Sequence, residues 1–328
     1  MAILLGHTTA LEYWRSLATT SDLLLHESPL GSSVDRRNVT KSLQQQLRSA
    51  RSRRESLDYL LENPDSHVIT LGRRIQSRHR LAVQHNFSRL PAYSCVRANA
   101  HFHGEALYVS TPEYCFLQMA TLLTLEELIA LGFELCGTYA IQGDHTVFDA
   151  YPLSSPERID ALLVRSAGLR GVKKARRAMR YVLAGSASPM ETALTMFLTL
   201  PYSLGGYGLK RPKLNHRIDI PLKLKSKVES AYYVCDLFWE RAKLAIEYDS
   251  DLAHAGVNKT VRDAMRRSVL TALGISVLSV TWPQVKNAEA LNQLAHLVAE
   301  KTHKRLQYAK SNFRVRHHIL RRRLLFSS

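Results

Sequence analysis

The sequence predicts an α/β protein of two units: an α+β N-terminal part over residues 1–185 and a C-terminal αβββαβ core over residues 186–328. Three observations carry this expectation. At 328 residues the chain is long for one hydrophobic core and ample for two. Short β-like runs and capped helical runs alternate along it. After residue 185 the runs fall in a fixed order of helix, three strands, helix and strand.

In the first unit, residues 2–5 read as a strand. Thr9-Ala10-Leu11-Glu12 reads as a capping box, with Thr9 as N-cap and Glu12 at N3. Residues 38–62 form a helical run beside a basic stretch that includes Arg36, Arg37, Lys41, Arg48 and Arg51. That stretch is read equally as a phosphate-contacting surface or a solvated helix face. Residues 67–70, 80–83, 93–96 and 106–109 are short strand runs. The histidines among them, His67, His79, His85, His101 and His103, match no standard metal spacing.

Two helices then start at Ser110-Thr111-Pro112-Glu113 and at Thr124-Leu125-Glu126-Glu127. The first carries Phe116, Met119, Leu122 and Leu123 at helical spacing; the second runs to Cys136, before Gly137. Residues 137–153 read as an extended connector, and Ser154-Ser155-Pro156-Glu157 opens another helix. Residues 171–184 form a basic helix with Lys173, Lys174, Arg176, Arg177 and Arg180 around an apolar stripe. Lys173, Lys174 and Arg177 are candidate phosphate contacts.

In the second unit, Ser188-Pro189-Met190-Glu191 starts a helix that stops at Pro201. Strands follow over residues 216–220, 232–238 and 243–248. A helix over 260–273 closes at Gly274, and a fourth strand covers 275–280. The first three strands suit a meander, and the fourth returns through a helical crossover to pair parallel. A helix over 288–306 precedes a basic tail.

Composition bounds the partners. Apolar residues make up 45% and charged residues 22%, ordinary for a globular chain, but the net charge is +17. Such a basic excess points to a polyanion, and DNA is the expected partner. The four cysteines, Cys95, Cys115, Cys136 and Cys235, form no CxxC pair, which suits a reducing compartment. No apolar run reaches the ~20 residues of a membrane span, so no membrane partner is expected. The apolar start is too short for a signal peptide and lacks a basic leader, so the expected location is cytoplasmic.

Acids at the ends of apolar runs need a reason, because a buried unpaired carboxylate is costly. A tight turn at Glu240-Arg241 would set Asp236 opposite Ala245, with Glu247 and Asp249 on the same face. Three carboxylates there would repel unless a cation sat among them, and hard oxygen donors favour Mg²⁺ or Mn²⁺. Arg262, Arg266 and Arg267 on the next helix are candidate phosphate ligands. Singly, each acid has a plainer role: Glu191 as N3 of a capping box with Ser188, Glu247 as a partner of Lys243 or Arg241, Asp249-Ser250-Asp251 as a turn.

Residues 188–282 resemble the PD-(D/E)xK nuclease superfamily, in particular endonuclease-like domains related to very-short-patch-repair endonucleases. The resemblance rests on Glu191 in SPMET, Asp236 in CDLFW, Glu247 and Asp249 in IEYDSD, His254, and Arg262, Asp263 and Arg266 in the helix VRDAMRRSVLTALG. It implies a restriction-endonuclease-like core and a metal-dependent DNA endonuclease. In it Asp236, Glu247 and Asp249 hold Mg²⁺ or Mn²⁺, Glu191 lies nearby, and His254 orients or protonates. Asp249 stands where the superfamily usually has lysine, as in this subgroup, and Ser250 stands where the subgroup has glycine.

The N-terminal part, through its basic strand-rich segment and VSTPEYCFLQMATLLTLEELIALGFEL, resembles antitoxin-like proteins of abortive-infection type IV systems. That resemblance implies a phage-defence or mobile-element setting and a DNA or protein partner of a toxin–antitoxin system. The alternative expectation is a catalytically degenerate DNA-binding regulator or an antitoxin-like protein.

Overall fold

A computed structural model describes residues 2–18, 67–71, 83–87, 90–102, 105–221, 223, 230–249, 257–307 and 312–326. The helix expected over residues 38–62 lies outside these residues, as do His79, His103 and His254. The described structure is mixed α/β, in two compact units, Met1–Val182 and Leu183–Ser328.

The first unit is built on a five-stranded sheet. Its strands are β1 (Ala2–Leu5), β2 (His67–Leu71), β3 (Val83–Phe87), β4 (Cys95–Phe102) and β5 (Glu105–Ser110), in the order β3-β2-β1-β5-β4. Strand β1 pairs parallel to β5 and antiparallel to β2. Helix α1 (His7–Leu17) starts one turn earlier than the expected Thr9 cap, with Gly6 as N-cap. The Thr9 hydroxyl accepts instead from the His67 N–H (2.8 Å). It is therefore engaged by β2.

Helices α2 (Pro112–Met119) and α3 (Leu125–Leu135) start at the predicted caps, Thr111 and Thr124. Every residue of α2 is buried, so it is a core helix rather than an amphipathic one. It ends before Leu122 and Leu123, which lie in the following turn, and Leu122 is exposed. The expected connector folds into a hairpin, β6 (Tyr139–Gln142) and β7 (His145–Phe148), turning at Gly143, whose φ is 59°. Helix α4 (Pro156–Arg165) starts at Ser155, and α5 (Val172–Met179) ends earlier than expected. Val172, Ala175, Ala178 and Met179 bury one face of α5 while Lys173, Arg176 and Arg177 stay exposed.

The second unit holds α6 (Pro189–Thr199), β8 (Lys213–Asp219), β9 (Tyr232–Trp239), β10 (Leu244–Asp249), α7 (Val257–Ala272) and β11 (Ser276–Thr281). Sheet order is β11-β10-β9-β8. The first three strands pair antiparallel as a meander, and β11 returns parallel to β10 through α7. Gly274, with φ 74°, closes α7 at the position the sequence assigns to it. Cys235, Phe238, Ala245, Leu270 and Ile275 form a core cluster between α7 and the sheet.

Three helices follow: α8 (Trp282–Lys286), α9 (Ala288–Lys301) and α10 (Phe313–Leu325). Helix α10 replaces the basic tail expected there. Phe313, His317 and Leu320 recur along one side of it and are buried, so its arginines flank an apolar seam. No helix among the described residues is long and apolar enough to cross a membrane.

Candidate functional site

The expected acids come from three elements of the second unit. Glu191 lies in the first turn of α6, Asp236 in β9, and Glu247 and Asp249 in β10. The β9–β10 ladder sets Phe238 against Ala245. Strict alternation would put Asp236, Glu247 and Asp249 on the face of that pair, but Cys235 and Phe238, three residues apart, share one core cluster, and His216, opposite Cys235, stacks on Phe238, so alternation is broken between them, next to Asp236. The expected two-residue turn is not what closes this hairpin. A 3-10 turn, Glu240–Ala242, is followed by Lys243 in the left-handed region, with φ 46°. The longer connection moves the register by an even number of residues. Phe238 therefore meets Ala245 in place of Asp236, and the break in alternation beside Asp236 removes the expected reason for one shared face.

Pairing of β9 with β10 extends as far as Leu237 and Ile246. One step further, the Tyr248 N–H donates to Asp236 Oδ2 (2.7 Å). A side-chain oxygen thus takes a donor that the ladder would otherwise use, and this fixes the Asp236 carboxylate where the strands part. Burial pushes that carboxyl above its usual range, while the Tyr248 N–H and the Arg266 charge pull it back.

Glu191 is both a cap and a member of this cluster. Ser188 Oγ accepts from the Glu191 N–H (3.1 Å) and donates to Oε1 (3.1 Å). The Ala187 N–H (2.9 Å) and Asn215 Nδ2 (2.6 Å) donate to Oε2. Burial pushes the Glu191 carboxyl up, the Ala187 N–H pulls it down, and the negative charge of Asp236 pushes it up again. The Glu191 carboxyl on α6 therefore senses the charge of Asp236 on β9.

Asn215 is absent from the residues chosen on sequence. It sits between the paired Leu214 and His216 of β8 with φ 42°, and it also donates to the Gly185 carbonyl (2.8 Å). An asparagine interrupting a strand run is the available signal, since asparagine tolerates the left-handed region better than most residues.

Glu247 meets Arg266. Nη2 of Arg266 lies 2.7 Å from Glu247 Oε1, with the two side chains 29% and 19% exposed. Arg266 also donates to the Val234 carbonyl and lies over the Tyr233 ring, 5.6 Å from its centroid. Its Nε is buried with no hydrogen-bond partner among the described residues. Burial, then the Glu247 charge, push the Cys235 thiol up to about 11, while Arg266 opposes them. Arg266 was expected to bind phosphate; here its guanidinium neutralises a carboxylate. Leu270, one turn further along α7, is in the core, so this side of the helix faces the sheet.

The remaining expected residues separate. Asp249 is half-buried at the end of β10, and Arg267 is exposed. Arg262 lies one turn before Arg266 on α7. In the first unit Lys173 and Arg177 are exposed, whereas Lys174 Nζ donates to the Leu123 carbonyl (2.8 Å). Among the described residues no group of three or more His, Cys, Asp or Glu side chains is arranged to hold a metal ion. Comparison with known proteins finds no matching family model, no matching curated protein and no matching solved structure.

Proposed function

We propose that the second unit is a restriction-endonuclease-like domain of the PD-(D/E)xK type, and that the protein is a metal-dependent DNA endonuclease that hydrolyses phosphodiester bonds. One observation carries this reading. An α6-β8-β9-β10-α7-β11 order, with a meander and a parallel return, gathers Glu191, Asp236 and Glu247 around the place where β9 and β10 part. Asp236 raises the proton affinity of the buried Glu191 carboxyl, and carboxylates perturbed by burial and a like charge are a common signature of a functional site.

The donor set fits a hard cation by chemistry: Asp236, Glu247 and Asp249 offer only carboxylate oxygens, which suit Mg²⁺ or Mn²⁺. When bound, such an ion supplies an activated water and neutralises charge developing on the phosphate. The chain's own residues do the positioning. The Tyr248 N–H orients Asp236, and Ser188 and Asn215 orient Glu191. Arg266 holds Glu247 and keeps a buried N–H beside the acids. The net charge of +17 attracts the DNA backbone. A phage-defence or mobile-element setting accords with such a nuclease.

The second reading, a DNA-binding regulator or antitoxin-like protein on a degenerate nuclease fold, is favoured by the Arg266–Glu247 pair, which supplies the counter-charge without a metal. Plasmid nicking with Mg²⁺, Mn²⁺ or EDTA separates the two. The endonuclease nicks only with metal, and Asp236→Ala or Glu247→Ala abolishes nicking with little loss of DNA affinity. Salt-sensitive DNA binding without turnover in any metal supports the regulator.

A further inference from the structure

A second concave site lies in the same unit, at the closed end of the β9–β10 hairpin. Its volume is about 440 Å³. That lies within the range of small-ligand sites, about 300–1,000 Å³. Strand β10 runs from this end, at Leu244, toward Glu247 and Asp249. At about 3.3 Å per residue Glu247 lies about 10 Å and Asp249 about 17 Å from Leu244, and none of Glu191, Asp236, Glu247 and Asp249 lines the cavity, so it is a separate site.

Its lining has two parts. Pro212, Phe238 and Trp239 give it an apolar side, and the two aromatic rings are nearly buried. The Trp239 indole N–H is satisfied internally by the Lys210 carbonyl (2.6 Å), so its ring serves as an apolar surface. Around this side stand Arg211, Arg241 and Lys301. The one acid of the lining, Glu240, is already held by Lys213 at 2.7 Å, and Lys210 Nζ donates to the Thr302 carbonyl (2.9 Å). The charge facing the cavity is therefore positive. His303 also lines it, at the left-handed position that follows α9, with φ 50°. Glycine is the usual residue at that helix end, so the side chain is kept there at a conformational cost.

An apolar side with a cationic rim selects a ligand that has a flat apolar body and an anionic end. We infer that this cavity binds a nucleoside 5′-phosphate unit, either free or as a nucleotide of a DNA strand. The base lies along the apolar side and the phosphate sits on Arg241 and Lys301. The choice of nucleotide among apolar anions rests on the nucleic-acid reading above; the cavity and its charge do not.

Isothermal titration calorimetry on the full chain tests this. The probes are thymidine 5′-monophosphate, a single-stranded oligonucleotide and inorganic phosphate. Arg241→Ala and Lys301→Ala each weaken nucleotide binding about tenfold, the worth of one charge-assisted hydrogen bond. Arg170→Ala, at an exposed position of the other unit, leaves it unchanged. His303→Gly also weakens binding while the thermal midpoint holds or rises, because glycine suits that helix end. Inorganic phosphate binds at least tenfold more weakly than the nucleotide.

Binding of the oligonucleotide alone, with the same sensitivity to the cavity variants, assigns the ligand to a strand. The inference is overturned by no binding of either nucleotide probe, by an equal loss in Arg170→Ala, or by inorganic phosphate matching the nucleotide. Metal-dependent nicking is measured separately in the same variants, so failure of either reading is visible without the other.

Discussion

The Arg266 guanidinium lies 2.7 Å from Glu247 Oε1, and its charge also pulls down the Asp236 carboxyl. A cation therefore already stands at the carboxylate cluster, and it is covalently part of the chain. Removing it exposes what the acids do alone. Both side chains are partly buried, so the loss falls between the small value of a surface pair and the larger value of a buried one.

Arg266→Met lowers stability by about 1–3 kcal/mol. If the acids are a metal site, Mn²⁺ then recovers part of that loss, since binding to the native state alone raises stability. Thermal melts with and without MnCl₂ measure it. Recovery is absent in the double variant Arg266→Met, Asp236→Ala. No recovery in the single variant counts against the metal and favours the regulator.

A second prediction concerns acid stability. His317 of α10 is buried against Phe197, Tyr207 and Phe313, with Nδ1 2.8 Å from the Gly205 carbonyl. Gly205 has φ 87°, and a Cβ there would lie 2.5 Å from the Arg316 carbonyl oxygen, so α10 approaches this loop backbone-to-backbone. Burial holds the His317 pKa below 6.5; the Gly205 carbonyl pulls it up, and Arg321 and His318 push it down. The unfolded chain therefore binds the proton more readily. Stability from this residue is complete above pH 6.5 and declines as pH falls from 6.5 through the lowered folded value. Urea midpoints at pH 7.5 and pH 5.5 should differ more for wild type than for His317→Gln, whose amide can donate to the same carbonyl. Equal pH dependence in both would reject the assignment.

Much of the second unit is legible in the sequence because its signals are local. Ser188 with Glu191, Gly274 after α7, and the apolar runs of β9 and β10 mark their elements directly. Less accessible are features decided by another segment. Thr9 looks like an N-cap, yet its hydroxyl is taken by His67, 58 residues away. Glu240-Arg241 alone suggests a two-residue hairpin turn, whereas a 3-10 turn, Glu240–Ala242, and a left-handed Lys243 join Trp239 to its partner Leu244. In the site, the acids could be found as charges within or at the ends of apolar runs, but strand alternation could not place them, because it breaks between Cys235 and Phe238. Arg266 and Asn215 could not be given their partners, because tertiary packing of α7 and a left-handed β8 residue decide them.

In the first unit, Arg15 and Glu134 form a two-pronged pair. Nε and Nη2 each lie 2.7 Å from a carboxylate oxygen, and Glu134 Oε1 also accepts from the Ile141 N–H (3.0 Å). The pair ties α1 to α3 and to the hairpin that the sequence reading missed. Glu134 is 3% exposed in its side chain and Arg15 20%. Glu134→Ala leaves the guanidinium and a backbone donor unmatched and costs about 3 kcal/mol. Urea denaturation checks this; a loss below about 1 kcal/mol would mean that water replaces the carboxylate readily.

The last prediction uses Asn215, whose amide donates to Glu191 Oε2 at 2.6 Å. Asn215→Asp replaces that donor with a carboxylate of nearly the same shape. Glu191 already has its carboxyl pushed up by burial and by the charge of Asp236. A third negative charge raises the proton affinity of the group further. For an acid whose folded value is raised, the penalty is present at neutral pH and disappears as pH falls through that value. Asn215→Asp should therefore destabilise the fold at pH 7 by about 2 kcal/mol, and by distinctly less near pH 4.5. Asn215→Ala removes the donor without adding charge, so its loss should be smaller and nearly independent of pH over that interval. Urea titrations of both variants at the two pH values make the comparison. A pH-independent loss in Asn215→Asp would mean that Glu191 and residue 215 are not electrostatically coupled, and the acid cluster would shrink to Asp236 and Glu247.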